Sequence, residues 1–193
     1  TARSMLIFAQ MGLVMTTDAP AALLWLVAIV GAHRAITAGT KDGWLLFGVA
    51  TGLGILAKYT LGILLPSVAL FLLLTPSLRY HLRTFSFWTG IVVSALLTLP
   101  IFIWNLNHDW VNFAHNAGHL YKGTESFLPR LTLRYLGELL GGQLLLVGPV
   151  VFVGLMLGYL RGFALWRKGD VEAGLFVWSG LPLVALCLMV SLT

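Results

Sequence analysis

Cysteine and charge are what this chain has least of. Its single cysteine, Cys187, lies inside the apolar run LPLVALCLMV, which excludes a disulfide framework and any metal site built on thiolates. Charged residues occupy 10% of the 193 positions, and seven of them are acidic. A water-soluble domain carries about 25% charged residues, so this chain has too few to solvate its own surface. Period-two alternation of apolar and polar residues is also missing, which leaves helices as the way to satisfy a backbone in lipid. No GxxxxGK[ST] phosphate loop, GxSxG elbow or HExxH helix occurs, so cytosolic nucleotide chemistry has no basis in the sequence.

What is present is apolar. Hydrophobic residues make up 59% of the chain, and the mean hydropathy is +0.91. These values define an integral membrane protein of the all-α class. Seven tryptophans and five tyrosines suit a protein with two wet interfaces, where amphipathic rings collect, and equally serve packing. The net charge of +5 comes mostly from short loops between apolar runs. That is an orientation signal, and no nucleic-acid partner is expected.

Apolar runs fall at about 4–16, 20–36, 44–57, 60–75, 86–104, 138–160 and 172–193. Each is a helix candidate within a single transmembrane domain. The first lacks the small-residue cleavage site of a signal peptide and runs straight into TTDAP, so it reads as the end of a membrane helix. The chain as a whole reads as an internal fragment of a longer protein. Three intervening loops are basic, carrying Arg34 and Lys41, Arg79 and Arg83, and Arg161, Arg167 and Lys168. The positive-inside rule assigns all three to the cytoplasm. A single crossing over 44–75 would put the first two on opposite sides, so two crossings are required, with a turn near LAKYTLG. Each leg is then shorter than the roughly 20 residues of a full span.

The same alternation puts Asp18, the pair Lys58 and Tyr59, and the stretch WNLNHDW at 104–110 on the outer side. The residues from 105 to about 137 form an extracytoplasmic loop, long enough for an interfacial helix and carrying His108, Asp109, His115, His119, Arg130 and Arg134. Each of these features has two readings. Asp18 before Ala19 and Pro20 is a sound helix N-cap or a site carboxylate. Lys58 snorkels to the interface or binds an anion. Trp104, Trp110 and Phe113 form an interfacial belt or a sugar platform. His115 and His119, four apart, can share a metal on one helix face, but the sequence supplies no clear third ligand. Gly48, Gly52, Gly154, Gly158 and Gly162 are small-residue patterns for close helix packing.

Four of these stretches, in this order and spacing, carry a resemblance: MTTDAP entering a helix, GLGILAKYTLGILLPS about forty residues on, P-x3-WN-x2-H-x-W closing a later helix, and GGQLLLVGP opening the next. Together they resemble the dolichyl-phosphate-mannose-protein mannosyltransferase family. Its bacterial members, the family 39 glycosyltransferases that include the lipid A aminoarabinose transferases, are the more similar. The resemblance implies a GT-C-type glycosyltransferase fold, present here in part, in a bacterial inner membrane, with the active site facing the periplasm. It implies a polyprenyl-phosphate-linked sugar as donor, a lipid, protein or glycan as acceptor, inversion at the anomeric centre, and contact with membrane lipids throughout.

Such a transfer needs a carboxylate to take the acceptor's hydroxyl proton and cations to stabilise the departing phosphate. Asp18 supplies the first, as the catalytic candidate. Lys58, His108, Arg130 and Arg134 are candidates for the donor phosphate, and Tyr59, Asn105, Asp109 and Trp110 for lining the substrate. No metal ligand set is assigned and no cofactor is required, although a divalent metal is compatible with the reaction. Two departures from the family pattern matter. Its principal acid belongs to an outer loop expected upstream of Thr1, and HDWVNFAHN has Asn112 and Asn116 where a serine and a glutamine are usual. The competing class is a secondary transporter, which would place ionisable residues at the midplane of an internal repeat. No repeat is found, and the charges here sit at helix ends.

Overall fold

A computed structural model describes residues 17–120 and 133–192, the ends of some helices by backbone alone. The expected helix at 4–16 and Arg130 lie outside the described residues. Every element among those described is helical, and the chain divides into two compact units, Thr1–Ile101 and Phe102–Thr193.

The first unit begins with α1, Asp18–Thr37, and α2, Lys41–Ala57. Lipid gives apolar helices no hydrophobic reason to associate, so they need close backbone contact. Glycine and alanine provide it. A methyl group added at Gly31 would sit 2.6 Å from the Phe47 amide nitrogen, and one at Gly43 would sit 2.5 Å from that of Ala35. The pairing of 31 with 47 and 35 with 43 makes the two helices antiparallel. Gly39, at φ 64°, turns the chain between them, and the Arg34 guanidinium meets the Asp42 carboxylate at 2.9 Å beside the turn.

At Lys58 the helix stops. The residue is extended, with φ −155° and ψ 120°, and its N–H closes α2 on the Gly54 carbonyl at 2.8 Å. A 3₁₀ turn, Tyr59–Ile63, then leads into α3, Leu64–Leu74. The chain reverses here, because the segment following α3 returns to the start of α2: His81 lies 5.6 Å from Trp44, ring centre to ring centre. Seventeen residues of α2 span only about 25 Å, less than a bilayer's hydrocarbon core. The two legs are therefore short, with a turn carrying Lys58.

A second 3₁₀ segment, Pro76–Arg83, joins α3 to α4, Phe85–Leu106. A 3₁₀ helix repeats every three residues, so Thr75, Leu78 and His81 share one side and are buried. His81 packs there against Trp44, itself 5.0 Å from Phe87. Within the first unit α4 runs parallel to α2. Gly48 meets Gly90 so closely that a methyl group on either would overlap backbone carbonyl atoms of the other helix, and Gly52 faces Ser94 and Leu97.

In the second unit the end of α4 leads through a turn at 107–110 into α5, Val111–Leu120; α6, Leu133–Val147, α7, Pro149–Arg167, and α8, Val171–Leu192, follow. The helix expected over 138–160 is thus two helices, and the stretch expected as loop at 105–137 is partly helical. The cause of the division is local. Gly148 has φ 85°, a conformation that costs glycine little, and Pro149 has no N–H to continue the earlier helix and is well placed in the first turn of the next. Gly169, at φ 98°, turns the chain again, and the Asp170 carboxylate accepts the Ala173 N–H at 3.0 Å, capping α8. Gly162 lies against Val177, and the Tyr159 hydroxyl donates to the Val177 carbonyl, so α7 and α8 form a hairpin.

By length and composition α1, α4, α7 and most of α8 can each cross a membrane. Two predictions follow from the packing. Gly48→Ala forces α2 and α4 apart and should lower stability in detergent by about 1–3 kcal/mol, read as a fall in the thermal midpoint, whereas Gly154→Ala, with open space around it, should leave it unchanged. His81, in the connector outside the membrane-crossing helices, has its pKa lowered by burial. A depressed folded-state value means that the unfolded chain takes up the proton first, so stability should fall as pH drops below the ordinary histidine value of about 6.5. His81→Phe should flatten that dependence in a pH series of thermal melts.

Candidate functional site

Asp18 is the first residue of α1, and Thr17 before it makes no side-chain capping bond. The carboxylate does not cap the helix either. Among the described residues its hydrogen-bond partner is the Lys58 ammonium, 40 positions away in sequence. The reading of Asp18 as a simple N-cap is thereby replaced, although a negative charge in the first turn is still favoured by the helix dipole. Antiparallel packing of α1 on α2 creates the pair, since it brings the start of one helix to the end of the other. The break at Lys58 frees the side chain to point along the helix end.

The pair is open to solvent. The Lys58 side chain is 47% exposed and that of Asp18 65%. Exposed ion pairs contribute about 0–1 kcal/mol, so stability alone is a weak reason for two opposite charges at this position. An ammonium has three N–H donors and Asp18 engages one carboxylate oxygen. Lys58 can therefore hold a second anion without releasing the first. Tyr59, next in the chain, is half-buried and opens the 3₁₀ turn.

The second unit carries the other polar group. After Leu106 the chain bends sharply, and Asp109 and Trp110 both have positive φ, 51° and 57°. Such conformations cost non-glycine residues on the order of 1–3 kcal/mol each and persist only where the surroundings impose them. Here the Asn105 carbonyl imposes the bend, accepting the N–H groups of His108 at 3.1 Å and Trp110 at 3.0 Å. Asn105 is fully buried, so its part is to hold the turn rather than to present an amide to solvent. His108 Nδ1 lies 2.7 Å from the Trp104 carbonyl, and its ring stacks on the Trp104 indole at 4.1 Å and 9°. Trp110 lies 5.6 Å from Phe113, and both Trp104 and Trp110 are more than 40% exposed.

Of the residues singled out from sequence, Asp18 and Lys58 are brought together, and Asn105, His108, Asp109 and Trp110 share one turn. The backbone of Arg134 belongs to α6, and its side chain, like that of His119 and all of Arg130, lies outside the described residues. His115 is exposed on α5. The stack of Trp104 on His108 and the paired left-handed residues were not read from sequence. The first had a usable signal, an aromatic pair four apart at a helix end; the second had none.

A multi-pass, all-helical membrane protein is thus defined, with a carboxylate–ammonium pair at the reversal of a short-legged helical hairpin. Its first half belongs to a known group. The model of the dolichyl-phosphate-mannose-protein mannosyltransferase family matches residues 1–104, more than half of the 193, and the chain belongs to that family of GT-C membrane glycosyltransferases. The matched stretch includes both Asp18 and Lys58. Two curated proteins are similar to it. One is the lipid A galacturonosyltransferase RgtD of Rhizobium johnstonii, 28% identical over 142 residues, which are 74% of this chain and 28% of that protein. The other is the undecaprenyl phosphate-alpha-4-amino-4-deoxy-L-arabinose arabinosyl transferase of Erwinia tasmaniensis, 28% identical over 177 residues, 86% of this chain and 31% of that protein. The chain therefore spans less than a third of the length of these relatives. No solved structure matches it.

The exposure of the pair generates a prediction. In a double-mutant cycle on stability with Asp18→Asn and Lys58→Met, the coupling should be no more than about 1 kcal/mol. A coupling of several kcal/mol in chemical denaturation would make the pair a structural clamp instead.

Proposed function

We propose that the chain is part of an integral-membrane glycosyltransferase that moves a sugar from a polyprenyl-phosphate-linked donor to a lipid, protein or glycan acceptor, with inversion, on the extracytoplasmic side. The observation that carries this reading is the Asp18–Lys58 pair at the hairpin reversal, within the segment that matches the family. Both similar proteins are named for transfer of a sugar, and one for an undecaprenyl phosphate-linked donor.

The chemistry follows from the two side chains. The acceptor hydroxyl attacks the anomeric carbon from the face opposite the phosphate. A C–O bond forms there as the bond from that carbon to the phosphate oxygen breaks, and the configuration inverts. The hydroxyl proton passes to a carboxylate, and the electron pair leaves with the polyprenyl phosphate. Asp18 accepts or orients that hydroxyl hydrogen. Lys58, with donors to spare beyond Asp18, holds the phosphate and stabilises the charge that develops on it. His108, Arg130 and Arg134 are further candidates for the donor phosphate, and Tyr59, Asp109 and Trp110 for the sugar and acceptor.

Charge supports the orientation. In the first unit the end opposite the pair carries Arg34, Lys41, Arg79 and Arg83, and the positive-inside rule gives that end to the cytoplasm. The pair then faces the exterior, where a lipid-linked donor needs no nucleotide sugar.

Asp18→Asn in the full-length protein should remove most sugar transfer, by about 10²-fold or more, with membrane insertion and expression intact. Full activity in that variant overturns the role of Asp18. Lys58→Arg should retain more transfer than Lys58→Met, and its KM for the lipid-linked donor should change less. Equal activity in the two would exclude a phosphate contact at Lys58.

A further inference from the structure

The 3₁₀ connector Pro76–Arg83 presents chemistry that the transfer reaction does not use. Its threefold repeat turns one side, Thr75, Leu78 and His81, into the core, and leaves the other two sides open. Those sides carry Arg79 on one and Tyr80 and Arg83 on the other, all exposed. Among the described residues neither arginine has a carboxylate partner, and Asp42, at the start of α2, is engaged by Arg34 at 2.9 Å. Arg79 is nevertheless fixed, because its Nε donates to the Leu73 carbonyl at the end of α3 at 2.7 Å. That bond occupies Nε and leaves the terminal guanidinium nitrogens for a bidentate anion.

The rings beside the arginines set the depth. Tyr80 is 57% exposed, Phe85 87% and Trp88 54%, and the Trp88 indole N–H donates to the Leu82 carbonyl at 2.9 Å. Exposed tyrosine and tryptophan beside the start of a membrane-crossing helix sit at headgroup level, and the apolar ring of Phe85, in the first turn of that helix, is left open by the described residues. Arg79 and Arg83, in the connector that precedes this helix, are then the charges of this segment that can meet lipid phosphates.

We infer that this connector is a binding site for the headgroup of an anionic phospholipid in the leaflet it faces, held by Arg79 and Arg83 with Tyr80, Phe85 and Trp88 against its glycerol and upper acyl chains. The lipid would fix the level of α4 in the bilayer and cover the open rings. This site is separate from the Asp18–Lys58 pair and does not depend on the proposed transfer reaction.

The full protein in detergent, titrated with phosphatidylglycerol or with phosphatidylcholine of the same acyl chains and read by native mass spectrometry, tests it. Phosphatidylglycerol should be retained in preference to phosphatidylcholine. Arg83→Gln, which disturbs no intramolecular bond among the described residues, should weaken its retention about fivefold. The double variant Arg79→Gln, Arg83→Gln should abolish the preference, while Arg161→Gln, Arg167→Gln, made in the last two turns of α7, should keep it. Inorganic phosphate at millimolar concentration should displace little of the lipid from the parent and more from the variant Tyr80→Ala, Phe85→Ala, Trp88→Ala; equal displacement from the two overturns the aromatic part. Equal retention of the two lipids, or of phosphatidylglycerol by parent and Arg83→Gln, overturns the site.

Discussion

Apolar helices gain nothing from one another in a solvent as apolar as themselves, so here the approach of backbone to backbone must do what burial does in water. The glycines at 31, 43, 48 and 90 permit that approach. Two helices that meet through missing side chains have little freedom to slide, because a shift of one residue would drive a methyl-bearing position into a neighbouring carbonyl. The register of α1 on α2 is therefore fixed, and with it the meeting of Asp18 and Lys58. The parallel contact of α4 on α2 is set in the same way, through a different face of the same helix.

That origin explains how a weak interaction is held in a constant geometry. The ion pair does not assemble the hairpin; the hairpin assembles the ion pair. Solvent reaches both groups, so their attraction is modest and either can take a new partner at little cost. A buried pair would have been costly to open and slow to exchange. Low intrinsic strength with high positional definition suits the proposed role of the pair in sugar transfer.

Much of this was legible in the sequence for reasons that can be named. Basic segments on both sides of 44–75, with Arg34 and Lys41 before it and Arg79 and Arg83 after it, demanded a reversal that hydropathy alone would have missed, and that reversal put Asp18 and Lys58 on one face. The four spaced motifs carried the family. The rest was hidden by stronger signals. Apolar continuity across 138–160 concealed the Gly148–Pro149 break, although that dipeptide is itself a helix punctuation mark. SLRYHLR read as a basic loop, because a period of three over eight residues is too short to stand out from loop composition. Capping was a reasonable role for Asp18 from local sequence, and lost to a partner forty residues away that only tertiary packing supplies. Asp109 and Trp110 adopt left-handed conformations that neither residue type announces.

The contact of His108 with the Trp104 carbonyl carries a consequence for the ring's own chemistry. A carbonyl oxygen can only accept, so this contact favours the form of the ring that carries a hydrogen on Nδ1. Nε2 is then the ring nitrogen left for another partner. The indole stacked beneath it holds the plane in which that nitrogen's lone pair lies. Folding of the turn thus sets which edge of this histidine ring is engaged by the backbone and which is left open.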